Sequence, residues 1–527
     1  MTEPWSTAQG IAASPCSWRA GPRLLFVSVL LWLACFSSRA GAITLDVAQP
    51  PAVTIGEPIQ FVASVGELVG DAQTFRWTFG DRQRIDDTKG LSAVEHTYAA
   101  PGVYNVHVLV KDLDAEGVTL SYTAVTLQVV VHYPLLKAAP RATTDIVYDQ
   151  ARNRVYNVNP DNDTISAVDA VALTKVAELP VYQRPEAMAI APDGKLWVLH
   201  RDDYAVAIVD LDTFTIERGF RLPYASQPMG LVMSPTDAAA YITLMALGKV
   251  LKLDPRTGEI LGEVEVGSWA RGIAVSHDGL TVYVTRFITT GEQGEVVHLD
   301  TQAMQVRGRW GLAHDPGLVA SVPNDDPTVM DGPDTDRAGR GLPNYLFSIT
   351  ISPDGRQAWI PAKKDNILRG LKRDGLALNE ENAVRPMVAV IDVATNTELP
   401  ERRMDVDDRN LPTHVTFSPQ GHMAFVTLTG SDNVEVRNAY KNHAEGNLIT
   451  GLASAGKAPR GTVLSPDGRL FAHGSLSRSV VVFDVSSILA GGDLTRRLLA
   501  EIPVVGTEKL TPEVLLGKQI FYASENK

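Results

Sequence analysis

Cysteine is almost absent from this chain of 527 residues, and its two copies, Cys16 and Cys35, both lie near the N-terminus. If residues 1–42 are removed from the mature protein, as predicted below, it contains no thiol and no disulfide. A Cys-x-x-Cys-His motif is also missing. The chain therefore cannot attach c-type haem covalently, and any haem would have to be supplied by another chain.

Positive charge is scarce as well. The chain has 48 lysines and arginines against 61 aspartates and glutamates, a formal net charge of −13. A protein that holds nucleic acid needs a basic face, so this balance argues against a nucleic-acid partner.

Long apolar runs are missing except for one, Leu24 to Phe36, which is shorter than a membrane-spanning helix requires. Two arginines precede this run, and Ala40-Gly41-Ala42 follows it. This order predicts a cleaved signal peptide over 1–42 and a protein that is periplasmic, displayed on the cell surface or secreted. A short membrane anchor and a lipid on Cys35 are the alternatives. No transmembrane segment is expected after cleavage.

Residues 43–132 contain runs of β-branched and aromatic residues separated by Gly, Pro and Asp, which predict a β-sandwich. The clearest predicted strands are Ile59–Ala63, Thr74–Phe79, Tyr104–Val110 and Val125–Val131.

Three motifs in this module resemble the signature of the PKD family: Trp77-Thr78-Phe79-Gly80-Asp81, His96-Thr97-Tyr98 and Pro101-Gly102-Val103-Tyr104. Arg82 departs from the family, which usually has glycine there. The resemblance implies an immunoglobulin-like spacer or adhesion unit of the kind found in surface and secreted proteins. A linker is predicted over 133–140.

A heptapeptide recurs through the rest of the chain, as in Thr-Ile-Ser-Pro-Asp-Gly-Arg at 350–356 and Val-Leu-Ser-Pro-Asp-Gly-Arg at 463–469. With a degenerate copy at Asp149 there are seven copies, spaced by 43, 43, 42, 76, 66 and 47 residues. Each copy contains four short strand patterns and a tight Pro-Asp-Gly turn. Units of this size predict an all-β fold, with a seven-bladed β-propeller over 141–507. A β-helix would have a shorter period.

Two further resemblances concern the propeller repeats and the C-terminal tail. Val282-Tyr283-Val284-Thr285 and the segment 388–397 resemble the YVTN family of propellers. In the tail, 508–527, Thr511 and Pro512 predict the start of a helix. That helix resembles the opening helix of the di-haem cytochrome c peroxidase family. Since some YVTN propellers are fused to such domains, the resemblance implies a relative whose haem domain is truncated or lies on another chain.

Alignment of the copies on the turn proline identifies the residue at which each innermost strand enters its sheet. These residues are Thr143, Glu186, Met229, Arg271, Phe347, Thr413 and Arg460. The next residue in each copy is small, as expected close to the propeller axis, except for His414. We predict that Glu186, Arg271, His414 and Arg460 bind an anion or a substrate. The alternatives are that they line a water-filled channel and that His414 is structural rather than a ligand of metal or haem.

Two insertions interrupt the repeat. The first contains Asp331, Asp334 and Asp336, a candidate calcium loop without the spacing of an EF-hand; an ordinary solvated loop is the alternative. The second insertion is rich in cations, which would dock an acidic partner or simply be solvated. These cations are Lys363, Lys364, Arg369, Lys372, Arg373 and Arg385.

The sequence thus favours an exported, non-catalytic scaffold that binds a protein or a cell-envelope glycan through one face of the propeller. The first alternative is the propeller component of a di-haem peroxidase-like electron-transfer system with a c-type cytochrome partner. The second is a metal-dependent lyase or lactonase.

Overall fold

The computed structural model describes residues 43–523 apart from 237, 316–339, 369, 374, 376, 378–382, 407–408, 443–444, 492–493 and 495. The predicted signal peptide lies outside the described residues. So do Arg369 and the candidate calcium ligands Asp331, Asp334 and Asp336.

The first module is a two-sheet antiparallel sandwich, apart from one short parallel pair, β2 with β8. One sheet has the order β1-β3-β6 and the other β2-β8-β7-β4-β5. The strands are β1 (Thr44–Val47), β2 (Val53–Thr54), β3 (Pro58–Gly66), β4 (Ala72–Thr78), β5 (Arg84–Lys89), β6 (Ala93–Thr97), β7 (Gly102–Leu113) and β8 (Thr119–His132).

Alternation along the strands decides which side chains form the core of the sandwich. In β3 the side chains of Ile59, Phe61 and Ala63 are buried, while the residues between them are exposed. They pack against Phe75 and Trp77 of β4, whose side chains are fully buried. The predicted immunoglobulin-like sandwich is confirmed.

Seven sheets follow in the described part of the chain, and they form the blades of a β-propeller. The strands are β9 (Arg141–Ala142), β10 (Ile146–Asp149), β11 (Arg154–Asn159), β12 (Thr164–Asp169), β13 (Thr174–Pro180), β14 (Pro185–Ile190), β15 (Leu196–His200), β16 (Ala205–Asp210), β17 (Thr215–Arg221), β18 (Pro228–Met233), β19 (Ala240–Leu244), β20 (Lys249–Leu253), β21 (Ile260–Glu265), β22 (Ala270–Val275), β23 (Thr281–Arg286), β24 (Gly294–Asp300), β25 (Gln305–Leu312), β26 (Leu342–Asn344), β27 (Thr350–Ile351), β28 (Gln357–Asp365), β29 (Val384–Asp392), β30 (Thr397–Glu398), β31 (Met404–Asp405), β32 (Pro412–Phe417), β33 (Met423–Leu428), β34 (Asn433–Asn438), β35 (Leu448–Ala453), β36 (Pro459–Leu464), β37 (Arg469–Gly474), β38 (Ser479–Asp484) and β39 (Arg497–Pro503).

Blades 1, 2, 3, 6 and 7 are antiparallel four-stranded meanders: β10–β13, β14–β17, β18–β21, β32–β35 and β36–β39. Blade 4 contains β22–β25 with β9 added beside β22, and blade 5 contains β26–β31. Middle strands such as β15 are buried on both faces, because neighbouring blades cover them. Outermost strands such as β17 alternate between exposed and half-buried residues, which fits a strand with one face toward solvent. The predicted seven-bladed architecture is confirmed.

Blade 5 carries the second insertion on an extension of its central hairpin, β28–β29. Lys364 is 2% exposed and donates to Asp315 and Asp405, at 3.0 Å each. Arg385 is 5% exposed and lies 3.5 Å from Asp405. For these two residues both the docking and the solvated-loop interpretations are wrong. Their charges are buried with carboxylates that come from elsewhere in the chain.

The sandwich contacts the propeller at the ends of the strands that carry the Pro-Asp-Gly turns. The guanidinium of Arg356 lies 4.2 Å from the ring centroid of Tyr133, which in turn lies edge-on to Tyr440 at 5.7 Å. Val103 of the sandwich packs against the apolar cluster shared by blades 6 and 7.

Helices are few in the described residues. They are the 3-10 turns Pro400–Arg402 and Thr429–Ser431 and the α-helices α1 (Ser486–Leu489) and α2 (Pro512–Tyr522). The α2 helix begins as predicted, since the Thr511 side chain accepts a hydrogen bond from the Val514 amide. Across the part of the chain that the structure describes, no helix has the length and apolarity needed to span a membrane.

Candidate functional site

In five of the seven blades a backbone irregularity directs a side chain toward the propeller axis. In blades 2, 3, 4, 6 and 7 the register of the innermost strand shifts near its start. Pro185 pairs with His200 and Ala187 with Leu199, so Glu186 is the extra residue of a bulge. Bulges of this kind re-aim side chains. The residues that the strand pairing skips at these shifts include Glu186, Met229, Arg271, Thr413 and Arg460, all of them members of the column that the sequence alignment identified.

All seven members of that column line one central cavity of about 550 Å³. The residue that follows each of them is tightly packed. A Cβ atom on Gly272 would lie 2.6 Å from the Cα of Ser348 in the next blade, and one on Gly230 would lie 2.5 Å from the Arg271 carbonyl oxygen. The expected need for small residues next to the axis therefore has a direct steric cause.

The segment that leads into blade 1 forms part of the cavity wall. Ala142 pairs with Ala274 on the inner edge of blade 4, the Thr143 hydroxyl donates to the Leu231 carbonyl of blade 3, and Thr144 bridges to Met188 of blade 2. The segment thus runs along three inner strand edges that would otherwise be unpaired. Sequence analysis placed a linker up to residue 140 and did not detect this route, because two-residue pairings carry no periodic signal.

One side of the cavity is an ionic network that joins blades 2 and 7. Arg460 donates to Glu186 at 2.7 Å and lies 3.6 Å from Asp145. Glu186 also accepts from Arg184 at 3.0 Å, and Asp145 accepts from His473 at 2.7 Å. Both carboxylates are 6% exposed.

Charge partners decide the protonation of this network. Burial alone would raise the pKa of Glu186, but Arg460 and then Arg184 hold that pKa below its usual range. Burial likewise acts to raise the pKa of Asp145, and His473 and Arg460 outweigh it. Burial acts to lower the pKa of Arg460, yet its two carboxylate partners raise that pKa overall. Each charge in the network is therefore compensated from within the protein.

Arg271 occupies the repeat position of Arg460 in blade 4, but its surroundings are different. Its guanidinium lies 4.4 Å from the ring centroid of Phe287 and 5.1 Å from that of Phe347. Among the described residues no carboxylate lies within ion-pair distance of it. Burial lowers the pKa of Arg271 to about 10, and the charge of Glu186 opposes this only in part.

Arg201, which follows β15, is a second cation in the cavity wall, and sequence analysis did not identify it. Its Nε is buried without a hydrogen-bond partner in the described part of the chain. Its charge, like that of Arg460, acts to lower the pKa of Arg271, and Arg201 and Arg271 line the same cavity. The signal available in the sequence was its position directly after a buried strand, in a turn facing the same end of the propeller.

His414 lies in the wall as predicted and is 8% exposed. Burial lowers the pKa of His414, and Asp145 opposes this shift, so the imidazole is neutral near pH 7. In the described residues no group of three or more His, Cys, Asp or Glu side chains is placed to hold a metal ion.

The α2 helix lies at the mouth of the cavity, where Lys518 and Tyr522 join the lining. Lys518 donates to Asp161 at 2.6 Å, and Gln519 donates to the Leu476 carbonyl at 2.7 Å. Arg478 also pairs with Asp161, at 3.1 Å. Asp161 therefore anchors the C-terminal segment.

Charge in the cavity opposes the charge of the whole protein. Six cationic side chains line it against three carboxylates, in a chain whose formal net charge is −13. The cations are Arg184, Arg201, Arg271, Arg460, Arg478 and Lys518, and the carboxylates are Asp145, Asp161 and Glu186.

The fold and the site define a β-propeller protein with an immunoglobulin-like sandwich at its N-terminal side and a positively charged axial cavity. Residues 44–129 match the family of PKD domains. No curated protein matches the chain.

Several solved structures are similar to this chain. Hydrazine synthase of Kuenenia stuttgartiensis is 17% identical with a TM-score of 0.53, and the match covers 64% of this chain and 94% of that one. Virginiamycin B lyase from Staphylococcus aureus is 14% identical with a TM-score of 0.44, covering 64% and 96%. A protein of unknown function from Desulfotomaculum acetoxidans is 15% identical with a TM-score of 0.44, covering 68% and 96%. At these identities the likeness to hydrazine synthase shows the fold alone.

Proposed function

We propose that this protein is an exported, non-catalytic binding protein whose propeller cavity receives an anionic ligand or an anionic group of a protein or cell-envelope glycan. The observation that carries the proposal is the excess of cations in the cavity of an otherwise acidic protein. Low-dielectric walls concentrate such a field, which favours anions over other solutes. PKD domains are typically extracellular, which supports the proposed export.

The arrangement of the modules is consistent with this role. The sandwich contacts the ends of the strands that carry the Pro-Asp-Gly turns, whereas the cavity is lined by residues at the other ends, such as Arg201 and Met245. The PKD module can therefore act as a spacer without covering the site.

Calorimetric titration of the purified protein with benzoate, citrate, inorganic phosphate and the cation benzylamine tests the proposal. We expect at least one anion to bind and benzylamine not to bind. Met245→Glu places a negative charge in the cavity lining and should abolish anion binding. Val171→Glu, at a position 64% exposed and outside the cavity, is the matched control. Absence of anion binding, or anion binding that survives Met245→Glu, would overturn the proposal.

Electron transfer with a c-type cytochrome partner is a second candidate function. It is favoured by α2, which presents apolar side chains to solvent at the cavity mouth, where a partner protein could cover them. Ile520 is 55% exposed and Phe521 is 81% exposed, as expected for a helix that a partner covers. Mixing the protein with a soluble c-type cytochrome and measuring complex formation by analytical ultracentrifugation tests this candidate. A Phe521→Asp variant that associates as strongly as the parent would argue against it. The metal-dependent lyase or lactonase alternative stays a prediction, to be checked by metal analysis of the purified protein.

A further inference from the structure

The cations of the cavity fall into two groups. Arg184 and Arg460 pair with Glu186, while Arg478 and Lys518 pair with Asp161. Arg201 and Arg271 have no carboxylate partner among the residues that the structure describes. A cation removed from water without a counter-charge is unfavourable, so an anion that enters the cavity gains most beside these two arginines.

The environment of Arg271 leaves its hydrogen-bonding edge available. Phe287 and Phe347 both contact the guanidinium at cation–π distance. Aromatic rings attract the cation electrostatically but offer no carboxylate or carbonyl oxygen, so the N–H donors of the guanidinium still lack an oxygen acceptor. A planar guanidinium held in this way is suited to a carboxylate, which accepts two parallel hydrogen bonds from it.

Arg201 adds a second donor group on the same cavity. Its buried Nε has an N–H with no acceptor in the described part of the chain. Both arginines line one cavity, so a single anion bound beside them would supply the missing acceptor and reduce the repulsion between two like charges.

Part of the cavity wall is apolar. Met229, Met245 and Trp269 line the cavity, and Trp269 is 41% exposed. A cavity of about 550 Å³ has the size of sites that take drug-sized organic ligands and is large for an inorganic anion alone. A bare phosphate would leave this apolar lining in water.

We propose that the cavity binds an organic carboxylate, with its carboxylate between Arg201 and Arg271 and its apolar body against Met229, Met245 and Trp269. This inference rests on the proposed anion-binding function and specifies both the ligand class and the anion subsite.

Three probes test the ligand class: naphthalene-2-carboxylate, its neutral carboxamide and inorganic phosphate, each titrated by calorimetry into the full chain. We expect the carboxylate to bind at least tenfold more tightly than either of the other two. Equal binding of phosphate and carboxylate would overturn the organic class and leave the anion-binding function standing. No binding of either anion would overturn both proposals, and equal binding of the carboxamide would overturn the carboxylate subsite.

Variants test the subsite. Arg271→Gln and Arg201→Gln should each weaken carboxylate binding by about 10- to 100-fold, the usual effect of losing a hydrogen bond to a charged group. Carboxamide binding should change much less. Arg356→Gln removes another arginine stacked on an aromatic ring, outside the cavity, and should leave carboxylate binding unchanged. Carboxylate binding that is unaffected in both cavity variants would overturn the assignment, even if the anion-binding function holds.

Discussion

Removing the charge of either of two arginines at the same repeat position should change the stability of the protein by very different amounts. Arg460 lies 2.7 Å from Glu186, and at an effective dielectric constant of about 20 that attraction is worth about 6 kcal/mol before desolvation. Desolvation offsets much of this gain. Arg460→Gln, however, leaves Glu186 and Asp145 buried with only part of their compensation. We expect a loss of about 3–5 kcal/mol in the free energy of unfolding, the usual result of removing one partner from a buried ion pair.

Arg271→Gln removes a cation that has no carboxylate partner in the described residues. The loss of its contacts with two phenylalanine rings is worth about 1–2 kcal/mol. Relief of a partly buried charge without a carboxylate partner acts in the other direction and is of similar size. We therefore expect Arg271→Gln to lower the free energy of unfolding by no more than about 1 kcal/mol, or to raise it.

Urea unfolding at pH 7, followed by tryptophan fluorescence, measures both effects in the propeller transition, and Arg356→Gln provides the baseline for an exposed stacked arginine. The reasoning fails if Arg271→Gln costs as much as Arg460→Gln. It also fails if Arg460→Gln costs about as little as the control.

Three further effects follow from the same contacts. Because the pKa values of Glu186 and Asp145 are lowered in the folded protein, these carboxylates stabilise the fold above the pKa of the unfolded carboxyls, and this stabilisation is lost as the pH falls through the folded pKa values. Acid unfolding of Arg460→Gln should therefore begin at a higher pH than acid unfolding of the parent protein. His200 is fully buried, and burial lowers its pKa to about 4. The free energy of unfolding should therefore fall by up to about 3 kcal/mol as the pH is lowered from about 6.5 to 4. His200→Leu should reduce this pH dependence of stability in urea titrations. Lys518→Ala removes the 2.6 Å contact with Asp161 that holds α2 over the cavity, and stopped-flow measurements should show faster anion association, whereas unchanged rates would mean that α2 does not restrict access.

Much of the fold follows from local patterns. The Pro-Asp-Gly turns and the alternating strands predicted seven blades, and seven propeller sheets are present in the described residues. The column of residues six positions before each turn lines the cavity because every blade repeats the same geometry with the same chain length. The resemblance to PKD domains, carried by motifs such as Trp77 to Asp81, is confirmed by the family match.

The surroundings of several charged residues could not be predicted from local sequence patterns. Lys364 and Arg385 resembled surface cations, but they are buried because Asp315 and Asp405 reach them from distant parts of the chain. Arg201 belongs to no aligned column and lines the cavity only because its turn faces the axis.

The spacing of turns and the alternation of apolar residues determine the all-β architecture and which positions face the axis, because both depend on interactions between residues close in sequence. Whether an axial arginine is neutralised or left available is decided by the tertiary structure. Arg460 pairs with Glu186, 274 residues away in the chain, whereas Arg271, at the same position of its own repeat, contacts two phenylalanine rings. Closure of the propeller determines which residues become neighbours, and the strength of a charge interaction depends on distance in space rather than along the chain.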